Sequence, residues 1–380
     1  MLLIRGGQIL TENATALQAA DILVQQDRIV ALGADLPAPE GARVFNAHDH
    51  IVLPGLINCH THAHNNLLKG FEDNRTLEEA RAYGPVIYAN RTIEDQYVSA
   101  AIGAIEMVKT GCTTAFDMFT AMPAMTDESV EAVVRAYTDV GLRAVLGPSM
   151  NDEIFYRAVP GLLDLLPPDL VRAVDDLRAA PTDQLLRMAE NAIRRWHGSA
   201  WGRIAIATAP AVPGECSDRY LAGMVELVQR YGVRLQTHLA ETKMQAVFAV
   251  ERWGRPLSAQ LAELGVVGPN FIGGHGVWLT DEEIRILGGV GAAISHNPAS
   301  NLKLGSGIAP VREMLQASVI VGLGSDGSMS SDNQNMFEAM RFAALANKVR
   351  FPHDPENWLG SNAAWQMATT GGARALGFAD

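Results

Sequence analysis

Short apolar runs closed by glycine or polar residues recur along the chain, and their spacing changes near residue 51. Before that point they crowd together as Leu2-Leu3-Ile4, Ala20-Asp21-Ile22-Leu23-Val24 and Arg28-Ile29-Val30-Ala31-Leu32-Gly33. Brief runs broken by turn residues predict strands, and Gln26-Asp27 between the last two predicts a tight hairpin. Residues 1–52 therefore read as a small β domain and not as a βα repeat.

From residue 51 onward the apolar segments lie farther apart, at 51–58, 112–118, 143–147, 204–209, 233–238, 270–275, 292–296 and 319–325. Amphipathic stretches at 95–109, 127–140, 217–231 and 281–287 fall between them, several opened by a Ser, Thr or Asp cap. Strands alternating with helices eight times over predict an α/β fold, a (β/α)8 TIM-type barrel over 53–380. The N-terminal strands over 1–52 would form a small β-sandwich domain beside it. A doubly wound sheet is the rival, but no strand leads into a glycine-rich phosphate fingerprint. Residues 149–201, with Pro160, Pro167, Pro168 and Pro181, form a long insertion after the third strand, with a helix expected over 182–196. Long loops on the C-terminal rim of a barrel commonly shape substrate specificity.

Composition narrows the function classes. At 380 residues, with 48% hydrophobic and 19% charged, the chain can bury a large core; a barrel takes about 250 residues, leaving room for one satellite domain. Thirty basic against 42 acidic residues give a net charge of -12, so a polynucleotide partner is not expected. Cys59, Cys112 and Cys216 form no CxxC pair, which argues against a disulfide framework or a thiolate metal site. Cys59 and Cys112 are expected to act as small core residues. No run approaches the ~18 apolar residues of a membrane span, and the start lacks a signal-peptide pattern. A cytoplasmic protein without a membrane partner is the expectation.

Histidine placement carries the chemistry. Seven of the ten lie beside predicted strand ends: His60, His62, His64, His238, His275 and His296, with His50 ahead of the first strand. Side chains repeat every two residues along a strand, so His60 and His62 share a face. Two imidazoles joined by a third histidine and a carboxylate suit Zn²⁺ or Fe²⁺, with one position left for water. HxH alone is weak. HxH with His238, His275 and Asp326 on one barrel rim is much stronger. Satisfied core histidines would have no reason to end so many strands at the same rim.

Longer motifs surround these residues: Leu53-Pro54-Gly55-Leu56-Ile57-Asn58 before His60-Thr61-His62, Thr237-His238-Leu239-Ala240-Glu241-Thr242, and Gly274-His275-Gly276. Ser295-His296-Asn297-Pro298-Ala299-Ser300-Asn301-Leu302-Lys303 and Gly322-Leu323-Gly324-Ser325-Asp326-Gly327 follow. Over essentially the whole chain this order resembles the amidohydrolase superfamily, in the branch of S-adenosylhomocysteine deaminases and triazine hydrolases. The resemblance implies His60, His62, His238 and Asp326 as metal ligands, with Glu241, His275 and Asp326 as the catalytic groups. Binuclear members carry a bridging lysine at the end of strand four; 203–210 has none, so one divalent metal is implied, zinc ahead of iron. Such an ion lowers the pKa of water from 15.7 to roughly 7. Glu241 would then protonate the ring nitrogen as an amine leaves as ammonia.

Substrate contacts are expected from His64, Asn65, Tyr88, Trp278, His296 and Asn301. Each has a plainer alternative in loop packing or aromatic burial. Adenosine-type deaminases of this branch place a Glu near Tyr88 and an Arg just after strand three, where Pro148-Ser149 stands here. The expected substrate is nucleobase-like, pterin-like or a nucleoside, with unglycosylated rings expected to be turned over better than their nucleosides. The partner is a planar nitrogen heterocycle, with assembly into a homo-oligomer left open. Triazine dechlorination or ring-amide cleavage is the alternative reaction, and a non-catalytic scaffold the alternative class. Relatives continue past the point matching Asp380 with strands that complete the small domain, so its C-terminal part is expected to be short or missing.

Overall fold

The computed structural model describes residues 1–10, 16–71, 73–88, 90–122, 124–159, 161–177 and 180–378. The chain divides into two compact units, Met1–Gly55 and Leu56–Asp380.

The first unit is one five-stranded sheet: β1 (Leu2–Leu10), β2 (Leu17–Gln25), β3 (Arg28–Gly33), β4 (Arg43–Asn46) and β5 (Ile51–Val52). The hairpin at Gln26-Asp27 forms as expected, with Gln26 in the left-handed region at φ 55°. A bulge in β1 falls at Gly6, whose φ of +73° suits glycine. The buried Asp21 carboxylate accepts from the Gly6 N–H at 2.7 Å and the Leu36 N–H at 2.9 Å. Among the described residues the five strands form one hydrogen-bonded sheet, in which nine-residue β1 pairs with β4 along Leu2–Arg5 and with β5 along Gln8–Ile9.

The second unit carries β6 (Leu56–Thr61), β7 (Cys112–Asp117), β8 (Arg143–Leu146), β9 (Ser149–Met150), β10 (Ile204–Ile206), β11 (Ala209–Pro210), β12 (Leu235–Leu239), β13 (Phe271–His275), β14 (Ala293–His296) and β15 (Ile320–Leu323). Two parallel four-stranded sheets result, ordered β10-β8-β7-β6 and β12-β13-β14-β15, with β9 paired to β11. At one seam Thr208 bridges Leu235, with backbone bonds from the Thr208 N–H to Arg234 O at 2.9 Å and the Gln236 N–H to Thr208 O at 3.0 Å. At the other, the Asp326 N–H donates to His60 O at 2.9 Å. Ile57, Cys59, Phe116, Val145, Ile272 and Ala293, drawn from five strands, share one buried cluster.

The expected first strand, 51–58, is split. Pro54, which lacks an N–H, and Gly55 interrupt it, so Ile51–Val52 joins β1 while Leu56–Thr61 becomes the first strand of the second unit. Helices fall where the amphipathic stretches predict them. Asp127–Val140 is capped by Thr126 and closed by Gly141 at φ 89°, and Thr182–Trp196 crosses the insertion. All three cysteines are free and buried; burial pushes the Cys112 thiol up to about 12, leaving it protonated and inert. No helix among the described residues is long and apolar enough to cross a membrane.

Candidate metal centre and substrate cavity

β6 presents His60 at its end and His62 just beyond, and β12 presents His238. One ring nitrogen from each of these three lies within 4.8 Å of the others; the same holds for His60, His275 and Asp326, and for His238, Glu241 and His275. Residues from four strand ends thus meet at one point.

The histidines are held from behind. Gln236 donates its amide N–H to Cys59 O at 2.9 Å, which leaves its Oε1 to accept from His60 Nδ1 at 2.7 Å. His62 Nδ1 faces Met118 O at 2.7 Å and His238 Nδ1 faces Ala211 O at 2.7 Å. A carbonyl only accepts, so these Nδ1 atoms carry hydrogens and the neutral rings turn Nε2 lone pairs inward. His275 Nδ1 lies 2.9 Å from Asn301 Oδ1.

Consequently, His62 Nε2 and His238 Nε2 face one another at 3.2 Å, lone pair toward lone pair. Nε2 of His60 and of His275 are buried with no hydrogen-bond partner. Asp326 Oδ1 stands 3.2 Å from His62 Nε2 and 3.6 Å from His60 Nε2. Burial pushes this carboxyl up, but a proton on Nε2 of His60 or His62, donated to it, more than reverses that and holds it well below the usual range. Inward lone pairs, orphaned buried nitrogens and an adjacent carboxylate are a donor set that fits a divalent cation.

Three residues at this rim adopt the left-handed backbone region although none is glycine: Ala240 at φ 47°, His275 at φ 73° and Asp326 at φ 64°. Each costs of order 1–3 kcal/mol, and such strain gathers where side chains must be aimed. Asp326 is braced most heavily. Its carboxylate accepts from the Gly327 N–H at 2.8 Å and Ser330 Oγ at 3.0 Å. Its carbonyl accepts from Gln334 Nε2 at 3.0 Å and Thr61 Oγ1 at 3.2 Å. Asn58 Nδ2 reaches Ser325 Oγ at 2.7 Å, tying β6 to the same turn.

Glu241 is buried, its Oε1 3.6 Å from His275 Nε2. Burial, with Asp326 adding to it, pushes its carboxyl up to about 8. Asp117, on the other side, is pushed by burial to about 6 and accepts from the Ala63 N–H at 2.8 Å and Tyr137 Oη at 3.1 Å. It pins the turn that follows His62.

A cavity of about 730 Å³ opens over this cluster, lined by His62, His238, Glu241 and Asp326 and by residues of the insertion. His64 lines it; its Nδ1 accepts from the Thr120 N–H at 3.0 Å, leaving the hydrogen on Nε2. Asn65 and Tyr88 also line it, joined by a short bond from the tyrosine hydroxyl to Asn65 Oδ1. Trp278, His296 and Asn301 are not among the residues that line this cavity. The Trp278 indole N–H donates to Ser306 O at 2.7 Å. Asn301 backs His275, and His296 is buried, with burial pushing its imidazole down to about 3.

Sequence reasoning missed Gln236 and Gln334, and also Arg81, Glu215, Met122, Met125, Met150 and Met188, which line the cavity. Gln236 had a signal, since it stands two residues before His238 and so on the same strand face. Gln334 had none.

Residues 51–380 match the profile of the Amidohydrolase family. A 5'-deoxyadenosine deaminase of Methanosarcina mazei is 33% identical over 99% of this chain and 80% of its own length. A 5-methylthioadenosine/S-adenosylhomocysteine deaminase of Caldanaerobacter subterraneus is 32% identical over 99% of this chain and 79% of its own. Among solved structures, zinc-complexed atrazine chlorohydrolase from Arthrobacter aurescens superposes with a TM-score of 0.88 and 28% identity, over 99% of this chain and 83% of that one.

Proposed function

This chain belongs to the amidohydrolase family, and from that premise we propose hydrolytic deamination of a nucleoside-like amino heterocycle at a centre formed by His60, His62, His238 and Asp326. The observation that carries this reading is the set of inward Nε2 atoms beside the buried carboxyls of Glu241 and Asp326, with His62, His238, Glu241 and Asp326 lining one cavity. The two parallel sheets are read as halves of a closed (β/α)8 barrel, which supplies a rim where distant strand ends converge.

A divalent ion bound there, zinc in the related chlorohydrolase, acidifies water so that a nucleophile exists at neutral pH. Every other part belongs to the chain. Asp326, held as a carboxylate, takes a proton from the attacking water. Glu241 in its protonated form gives its proton to the ring nitrogen next to the attacked carbon as water adds. Asp326 then passes the water's proton to the amine, so that ammonia leaves as the C–N bond breaks, and the added hydroxyl returns its proton to Glu241 as the carbonyl forms. His275, between Glu241 at 3.6 Å and Asp326 Oδ2 at 4.0 Å, orients the water. The low polarity of the surrounding wall strengthens each of these interactions.

Cavity size revises the small-ring expectation. Pockets of roughly 300–1,000 Å³ take drug-sized ligands, so a bare ring would leave most of about 730 Å³ unfilled. A ring bearing a substituent fits better, in keeping with the nucleosides in the relatives' names. Tyr88 and Ser149 both line the cavity and can meet a sugar with neutral hydroxyls. Ammonia release from zinc-loaded protein, measured with adenine and 5'-deoxyadenosine, tests this. The nucleoside should win by tenfold or more in kcat/KM, and a win for adenine would restore the small-ring reading. The likeness to a chlorohydrolase supports a second reading, which chloride release from a chlorotriazine would reveal.

A further inference from the structure

Much of the cavity lining is apolar and adaptable: Met122 and Met125, which follow β7, Met150 on β9, and Phe155, Leu185 and Met188 from the insertion all contribute to it and are together called the methionine wall. Unbranched thioethers bend to fit ligands of different length and touch them through polarizable sulfur.

Among the described lining residues one lysine or arginine occurs, Arg81. Its guanidinium is already engaged: it pairs with both Glu215 oxygens, Nη2 to Oε2 at 2.7 Å, and lies 4.8 Å from the Phe155 ring centre. Glu215, 3% exposed, also accepts from Asn151 Nδ2 at 2.6 Å. Drawing Arg81 toward a ligand carboxylate would leave the Glu215 charge buried without its cation, an arrangement far worse than the intact pair.

We infer that this methionine wall sets substrate specificity: it receives an apolar substituent on the ring, such as an alkyl or alkylthio tail, and discriminates against a zwitterionic one. The inference rests on the nucleoside reading above. Among the described lining residues Asn151, Tyr156 and Gln184 are neutral and Arg81 is the one lysine or arginine, so the carboxylate of a zwitterionic tail must either go without a guanidinium or ammonium partner or open the Arg81–Glu215 pair, and both are unfavourable. An apolar tail meets neither obstacle. Because the methionines adapt, tails of different apolar length should be treated alike.

The test is steady-state kinetics of the zinc-loaded full chain on 5'-deoxyadenosine, 5'-methylthioadenosine and S-adenosylhomocysteine. The first two should agree in kcat/KM to within about tenfold. Both should exceed the third by about tenfold or more, the scale on which a pocket tells one substituent from another. Met188→Glu should lower kcat/KM for the apolar pair by about tenfold and narrow their lead over S-adenosylhomocysteine; Met188→Gln should do so less. Equal or better turnover of S-adenosylhomocysteine by the unmodified enzyme overturns the inference while leaving the nucleoside reading intact. Should none of the three release ammonia, the nucleoside reading itself fails and takes the inference with it. If the Glu variant does not fold, the ratio for the unmodified enzyme still decides.

Discussion

His60, His62 and His238 stand at strand ends, each with Nδ1 tied at 2.7 Å to an oxygen that can only accept. In the lining of the same cavity, Met122, Met150 and Met188 border the space with side chains that have three rotatable bonds and no fixed partner direction. The floor is preorganised, so its geometry resists change and small displacements there are costly. The wall is adaptable, so it selects by polarity and tolerates differences in shape. Chemistry that must be exact in position and recognition that must be broad in shape are thus kept on separate elements.

Stripping the metal is the most severe way to probe the floor. Chelation should abolish deamination, and added zinc should restore it. Elemental analysis of the restored protein should find close to one equivalent, since no lysine ends β10 to support a second ion. A reproducible two would contradict the single-ion reading. Glu241→Gln should come next in size. It should keep metal and fold but lose about 10²–10⁴ in rate, the usual share of a general acid. Loss of zinc in that variant would instead make Glu241 a ligand and undo the roles given above.

Much of the floor was legible in the sequence because its signals are local. HxH spacing, strand-end placement and motif order located His60, His62, His238, His275, Glu241 and Asp326, which the fold brings together. Their anchors were harder to see. Met118 and Ala211 act through backbone carbonyls, which leave no trace in residue type. Trp278 and His296 lie outside the cavity lining, because proximity to a strand end does not say which way a side chain turns. The pairing of the N-terminal strands was not legible either, since alternation marks a strand but not the sheet that it joins. The wall was largely hidden: Met122, Met150 and Met188 come from three separate segments, and only the fold makes them neighbours.

A subtler test of the floor replaces an anchor and leaves the ligands in place. Gln236→Leu removes the acceptor of His60 Nδ1 and the donor to Cys59 O at similar volume. Partners of this kind are typically worth 10–100-fold in metal affinity or activity. Zinc affinity, measured by competition with a chelator, should fall by that range, and the thermal transition of the metal-free protein should fall as well, since His60 Nδ1 and Cys59 O are left buried without their partners. Unchanged affinity would mean that packing alone holds His60, and the floor would be less preorganised than its hydrogen bonds suggest.

The smallest effect is expected from the matching substitution on the wall, Met150→Leu. Met150 is 6% exposed and lies on β9, where its carbonyl accepts from the Ala211 N–H at 3.0 Å. That bond is made by the backbone and survives the substitution. Leucine is close to methionine in volume and apolar character, and such exchanges usually cost under about 1.5 kcal/mol. Since 1.36 kcal/mol is a factor of ten, kcat/KM for 5'-deoxyadenosine should change by less than about tenfold. Leucine is branched, however, and cannot straighten to make room as methionine does. The ratio between 5'-deoxyadenosine and the longer 5'-methylthioadenosine should therefore shift toward the shorter tail even though the chemical step is untouched. Both substrates must be compared, because a uniform fall in kcat would point to the floor and a divergence in KM to the wall. If Met150→Leu depresses both substrates as strongly as Gln236→Leu, the wall is as rigidly specified as the floor, and the division between them does not hold.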